Sequence, residues 1–228
     1  MNNASRLIGK TIGAVNGEIG SVHDLYFDEQ TWNIRYLVVD TGKWLPGRKL
    51  LLTPEAIVKP WHQQAAVAVN LTTEQIRSSP DIDTVIPVQR VAETLLHRHY
   101  QWTPYWESTS ALSPPMPPPP VLTTEDDRQD AGKTAESLVD VRLRSANELG
   151  GYHVKAKDGA VGDLEDLLLD DDISRILFLV VEVKGWFFGK KVLVGPSLVA
   201  RVDWATSTVH VDGNCQGLKS AQEYNPAA

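Results

Sequence analysis

Few residues in this 228-residue chain stand at spacings that could do chemistry. Gly17-x-x-Gly20 and Gly159-x-x-Gly162 look like fragments of phosphate-binding loops. Such loops run from a strand into a helix N-terminus, whose amides hold the anion. Here another strand-like run follows each pair, so Asn16-Gly17 and Asp158-Gly159 predict type I′ hairpin turns instead. Asp163, Glu165, Asp166 and Asp170-Asp171-Asp172 could ligate a hard cation. They lack the spacing and the glycine of an EF-hand loop, and strand alternation puts Asp163 and Glu165 on one solvent face. A solvated strand edge and turn is expected there. His97 and His99 lie two apart, on different sides of a helix, while His23, His62, His153 and His210 form no motif. Cys215 has no sequence neighbour that would activate it. No Gly-x-Ser-x-Gly, His-Glu-x-x-His or Gly-x-x-x-x-Gly-Lys occurs. The sequence predicts no catalytic residue, no cofactor and no metal ligand.

Recognition is better served. Trp44-Leu45-Pro46-Gly47-Arg48-Lys49 and Trp186-Phe187-Phe188-Gly189-Lys190-Lys191 each put large apolar side chains and paired cations on one strand-connecting turn. Tryptophan and arginine concentrate binding energy because they join buried area to directed polar contacts. Trp44, Arg48, Lys49, Trp186, Phe187, Lys190 and Lys191 are accordingly the candidate partner-binding residues. Two plainer roles compete. Each tryptophan closes the end of its own domain while the cations keep the turn soluble, or the aromatic and lysine side chains settle at a membrane interface. For Trp102, Tyr105 and Trp106, packing of their segment against a domain is expected.

The elements that position these turns come twice. Shifted by about 142 residues, Leu7–Asp83 aligns without a gap on Leu149–Asn225, with roughly 20 identities in about 77 pairs. The identities fall on turn glycines and core aliphatics, which set a backbone. Ile34–Asp40 and Ile176–Val183 are β-branched, nearly continuous apolar runs, as expected for buried strands. Lys49–Leu52 and Val192–Val194 follow glycine-centred turns, and Val67/Val69 and Val209/Val211 alternate as closing strands. Short strands at this spacing predict a compact barrel or sandwich in each copy. Between the copies, Val88, Val91, Leu95 and Leu96 recur at helical spacing after Pro87, which suits a first helical turn. Ser113–Pro120 holds six of the 14 prolines, and Glu125–Glu136 is polar and acidic. Residues 108–137 therefore read as a Pro-rich and acidic flexible linker, with docking to aromatic grooves as the other role of such a run.

Net charge and cysteine content exclude several classes. A formal charge of −7 argues against non-specific nucleic-acid binding, which needs a basic stripe. The second half is the more acidic, with about 12 basic to 18 acidic residues from Ser108 onward. A single cysteine rules out an internal disulfide framework and a Cys-cluster zinc site. No apolar stretch of about 18 residues and no secretory h-region is visible, so a cytoplasmic protein is expected, at most peripherally associated with membranes.

Gly-x-x-Gly followed by Asp-Leu and Asp, then Ile-x-x-Leu-Val-Val-Asp, Trp-Leu-Pro-Gly-Arg-Lys and Leu-x-Pro, resembles the PRC-barrel domain. That domain is known from the cytoplasmic part of the photosynthetic reaction-centre H subunit and from a ribosome-maturation factor. The segment from Ser79-Pro80-Asp81 to Pro104-Tyr105-Trp106 is similar to the connector of bacterial tandem PRC-barrel proteins. The second copy departs where Leu45-Pro46 becomes Phe187-Phe188 and Thr31-Trp32 becomes Ile173-Ser174. The resemblance implies a mainly β fold of two small PRC-type barrels in tandem, residues 5–80 and 138–225, joined by a helical segment (81–107) and the linker (108–137). It implies assembly and docking, and no chemistry of its own.

The expected function is a non-catalytic module that docks onto a larger assembly. By resemblance this is a photosynthetic or other electron-transfer membrane complex, or a ribosomal particle. The partner is then a protein or assembly, and a swapped or symmetric homodimer is compatible with the long linker. The alternative is a small-molecule-binding or enzymatic dimer with a pocket between the barrels, for which Asp24, His23 and Asp166 are the first residues to locate.

Overall fold

A computed structural model describes residues 1–81, 88, 90–106, 143–184 and 189–225. Pro87, the linker at 108–137, Trp186 and Phe187 lie outside the described residues.

Strands β1 (Asn2–Asn3), β2 (Thr11–Ala14), β3 (Gly17–Asp28), β4 (Ile34–Asp40), β5 (Lys49–Leu52) and β6 (Val67–Ala68) belong to the first repeat, with short helices α1 (Ala4–Leu7) and α2 (Thr73–Arg77). The second repeat reproduces them as β7 (Leu143–Ser145), α4 (Ala146–Leu149), β8 (His153–Ala156), β9 (Gly159–Leu169), β10 (Ile176–Val183), β11 (Lys191–Val194), β13 (Thr208–Val211) and α5 (Cys215–Lys219). It adds a strand β12 (Val199–Asp203) where the first repeat has the isolated Ile57↔Val69 bridge, followed by a 3-10 turn at Trp61–Gln63. Helix α3 (Arg90–Tyr100) lies between the repeats in sequence.

Each sheet is completed by the other repeat. The first orders β5-β4-β3-β2-β6 and receives β7, and the second orders β11-β10-β9-β8-β13-β12 and receives β1. The reason is strand length. β3 runs 12 residues but its neighbour β2 only four, so the far end of that edge is left to β7, through Tyr26↔Ser145, Phe27↔Arg144 and Asp28↔Leu143. β9 takes β1 in the same way, through Leu168↔Asn3 and Leu169↔Asn2. These pairs coincide under the repeat offset, so the exchange is pseudo-twofold. The axis passes Asn33 and Arg175, which face each other in an antiparallel bridge. Ile34 N–H donates to Ser174 O at 2.8 Å and Ile176 N–H to Trp32 O at 2.9 Å.

Both PRC-type sheets are open; their outermost strands are not hydrogen-bonded to each other. Their concave faces share one apolar core, which joins Leu7, Phe27, Leu37 and Trp61 to Leu149, Leu169, Leu179 and Val209. The indole N–H groups of Trp61 and Trp204 also cross the junction, to Asp171 O at 3.1 Å and Glu29 Oε2 at 2.9 Å. The repeats are therefore fused through a common interior, not merely tethered.

The hairpins form one residue earlier than Asn16-Gly17 and Asp158-Gly159 suggest. Ala14 pairs with Gly17 and Ala156 with Gly159, and the central residues Val15-Asn16 and Lys157-Asp158 have no positive φ, so these are not type I′ turns. Asn16 and Asp158 instead receive the first amides of the closing helices, from Thr73 at 2.8 Å and Cys215 at 2.7 Å. The second glycine of each Gly-x-x-Gly lies against the next strand. A Cβ at Gly20 would meet Asp40 O at 2.0 Å, and one at Gly162 would meet Glu182 O at 1.8 Å.

Candidate docking cleft

The charged residues singled out in the sequence are held in structural ties. Asp24 Oδ1 accepts from its own neighbour, Leu25 N–H, at 2.7 Å and from Asn147 N–H of the other repeat's α4 at 3.1 Å. Asp166 repeats the arrangement with Leu167 N–H at 2.8 Å and Ser5 N–H of α1 at 3.1 Å. The Asp-Leu motif thus clamps each repeat onto the first turn of the other's short helix, a capping contact of about 1 kcal/mol. Burial raises the Asp24 carboxyl above its ordinary pKa, against the lowering effect of Ser145, Asn147 and Leu25. His23 is exposed and meets Lys49 Nζ at 2.9 Å. Asp24, His23 and Asp166 do not share a cavity.

The acidic run is dispersed onto separate cations. Asp163 pairs with His153 and Lys184, both at 2.7 Å, Glu165 with Lys191, and Asp172 with Lys59 at 2.6 Å. Asp170 receives Ser174 N–H at 2.7 Å and Asp171 the terminal amino group at 3.2 Å.

On the β4–β5 turn, Arg48 reaches Arg77 O at 3.1 Å and also grips Ser79 and Pro80 O. Its repeat mate Lys190 reaches Lys219 O at 2.8 Å. These cations anchor each repeat's closing helix. Trp44 is half-buried against the core with Arg77 5.6 Å from its ring centroid.

The polar cluster least visible in the sequence sits under α3. That helix lies on the outer face of the first sheet, over Tyr26, Tyr36, Val38 and Leu51. Its inward residues are Ala92, Glu93, Leu96 and His97, while Val91 and Leu95 are each 45% exposed. Of the four apolar residues at helical spacing, Val88 and Leu96 are buried and Val91 and Leu95 are not, because the inner face is shared with Glu93 and His97. Tyr36 O–H donates to Glu93 Oε1 at 2.8 Å and lies 2.8 Å from His97 Nε2. A phenol has one proton, so with Glu93 accepting it His97 Nε2–H must be the donor to Tyr36. Tyr105 O–H adds a bond to Glu93 Oε1 at 3.0 Å, and Arg90 an ion pair at 2.7 Å. Burial lowers His97 to about 4, aided by Arg90 and opposed by backbone hydrogen bonds at Trp102 and Thr103. Burial and the Glu93 charge push the Tyr36 phenol well up. Downstream, Arg35 lies 4.1 Å from the Tyr105 ring centroid and Arg90 4.2 Å from that of Trp106.

This packing fills one of two equivalent grooves. In the first repeat, Asn33, Ile34, Arg35, Thr53, Pro54 and Glu55 line a remnant of 220 Å³, narrowed by His97, Thr103 and Tyr105. Their repeat mates Arg175, Ile176, Leu177, Gly195, Pro196 and Ser197 line a cleft of 960 Å³, walled across the junction by Glu29–Trp32. Among the described residues nothing fills this second cleft, which is the counterpart of the filled one. Phe178 stands in it where Tyr36 stands in the first repeat, and Leu177 where Arg35 stands.

Among the described residues no helix is long and apolar enough to cross a membrane. No curated protein matches the chain. The family model for the PRC-barrel domain matches residues 1–72 and 143–214, well over half of the sequence and both repeats. With the duplicated sheets and the matched strand exchange, this shows that the chain belongs to the PRC-barrel domain family, in tandem form.

Proposed function

We propose that the protein is a non-catalytic docking module that binds a larger assembly, with the open cleft of the second repeat as its principal contact. The observation that carries this reading is the inequality of two repeat-related grooves: one is filled by the chain's own α3 and Tyr105, the other stands open beside Trp32, Phe178 and Pro196. PRC-barrel domains are often protein-interaction modules, which supports it. The fused core makes a rigid platform, so little ordering accompanies binding. The β4–β5 and β10–β11 turns are a secondary contact in this proposal, through Trp44 and Lys49 on the first and Trp186, Phe187 and Lys191 on the second.

Sedimentation of native lysate on a density gradient, with mass spectrometry of comigrating proteins, tests it. Wild-type protein should travel with a large particle, either membrane-bound or ribosomal, and Trp44→Ala/Trp186→Ala should weaken that association. Migration of the wild-type chain alone, as a monomer or a small homodimer in the cytoplasm, refutes docking.

A further inference from the structure

The first repeat shows what a groove of this shape holds, because it is seen occupied. Its occupant is the tail of α3, a short aromatic segment whose Thr103 and Tyr105 lie beside Pro54 and the start of β4. Three differences at the repeat-mate positions specify the occupant of the open cleft.

The polar latch is missing. Tyr36 holds buried Glu93 and His97, and Phe178 has no hydroxyl with which to do so. The cation stacked on Tyr105 is missing too, since Arg35 is replaced by Leu177. An occupant lying on Leu177 and Phe178 must meet them with apolar or aromatic surface, because a buried polar group would have no partner there.

The rim gains one cation. Arg175 lines the cleft where the first repeat has Asn33, while Arg201 keeps the positive charge of Lys59 in the form of a guanidinium. Both are exposed. Arg175 makes a 3.3 Å bond to Asn33, and Arg201 an exposed pair with Asp203 at 3.4 Å. The one acidic lining residue, Glu29, is already matched by Arg144 at 3.0 Å and Trp204 at 2.9 Å. In a chain of net charge −7, this is a local site for carboxylates.

We infer, resting on the docking reading, that the second-repeat cleft binds an acidic–aromatic segment of a partner protein. The aromatic ring lies on Leu177, Phe178 and Pro196, and the carboxylates on Arg175 and Arg201. Bidentate arginine–carboxylate pairing gives the specificity, and the ring gives the buried area.

The test uses the full chain and two fluorescein-labelled peptides, EDDWTPYW and KKKWTPYW, read by fluorescence anisotropy. The acidic peptide should bind with a dissociation constant below about 100 μM, and the lysine peptide at least about 100-fold more weakly. Arg175→Ala and Arg201→Ala should each weaken the acidic peptide about tenfold. Ala200→Trp, at an exposed lining position, should abolish binding while the circular dichroism spectrum and melting temperature stay unchanged. Raising salt should weaken binding.

Equal affinity for both peptides, insensitivity to the two arginines and to Ala200→Trp, or no binding at 1 mM (roughly the weakest useful contact) would overturn the inference. So would self-association of the full chain that Ala200→Trp removes, since the occupant would then be a second copy. Tighter peptide binding after residues 110–140 are replaced by a glycine–serine tract of equal length would make the chain's own segment the occupant, and would also overturn it. The two readings fail separately. If Ala200→Trp still sediments with the particle that carries the wild type, the cleft assignment falls and docking stands; if the wild type carries no particle, docking itself falls.

Discussion

His97 should make the stability of this protein depend on pH in a window where most surface histidines have little effect. The ring is 3% exposed under α3, and burial lowers it from 6.5 to about 4. The folded state therefore binds fewer protons than the unfolded chain between these values. Stability from this group is complete above pH 6.5 and is lost as pH falls towards 4. At pH 5 the unfolded imidazole is almost wholly protonated and the folded one mostly neutral, which corresponds to a loss of about 2 kcal/mol relative to pH 7. The full difference, about 3 kcal/mol, is reached below pH 4. Urea denaturation of wild type and His97→Gln at a series of pH values measures it. Glutamine can still donate to Tyr36 but does not titrate, so the variant should be less stable at pH 7 and its curve flatter from there to pH 5. Asp24, whose raised pKa gives a slope of opposite sign, and the other acids are common to both chains and cancel in the difference. Parallel curves for the two proteins, or a His97 Cε1–H NMR resonance titrating near 6.5, would refute the reasoning.

Further outcomes follow from named contacts. Tyr36→Phe, which installs the residue of the second repeat, should destabilise by about 1–3 kcal/mol because Glu93 and His97 lose a buried partner; urea midpoints check it. Asp24→Ala should cost about 1–3 kcal/mol and speed hydrogen exchange at Asn147 and the rest of α4. Asp166→Ala should act less, its carboxylate being less buried. Gly20→Ala, whose Cβ would lie 2.0 Å from Asp40 O, should lower the melting temperature far more than Gly13→Ala, whose Cβ meets only open space. Cleavage of the chain within 108–137 should leave the halves associated at unchanged mass on size exclusion, since β1 and β7 lie in each other's sheets and the core is shared. Separation of the halves under native conditions would contradict the shared core.

Much of the fold was legible locally. Ile34–Asp40, Ile176–Val183 and Lys49–Leu52 form strands at the boundaries their β-branched runs indicate. Such runs encode which face is buried, and that is a property of neighbours in sequence. The site was less legible. Glu93 and His97 are polar residues on the buried face of α3, and it is the one phenol they share, Tyr36, 57 and 61 residues away, that makes that face acceptable. A spacing rule groups the exposed Val91 and Leu95 with the buried Val88 and Leu96, and leaves Glu93 and His97 out. Arg48 and Lys190 looked like exposed anchors, yet each reaches the backbone of its own closing helix 29 residues on.

The sequence by itself determined that one β module occurs twice, where its strands lie, and to which family it belongs, because duplication and periodicity are written in order along the chain. Tertiary structure decided that each module lends its first strand to the other's sheet, as Asn2 and Asn3 do to Leu169 and Leu168, and that a single core results. It also decided that one of two equivalent grooves is filled and the other open. Pairing partners are chosen by which edge and which surface remain free once the chain has folded back, and that is not encoded in any local pattern.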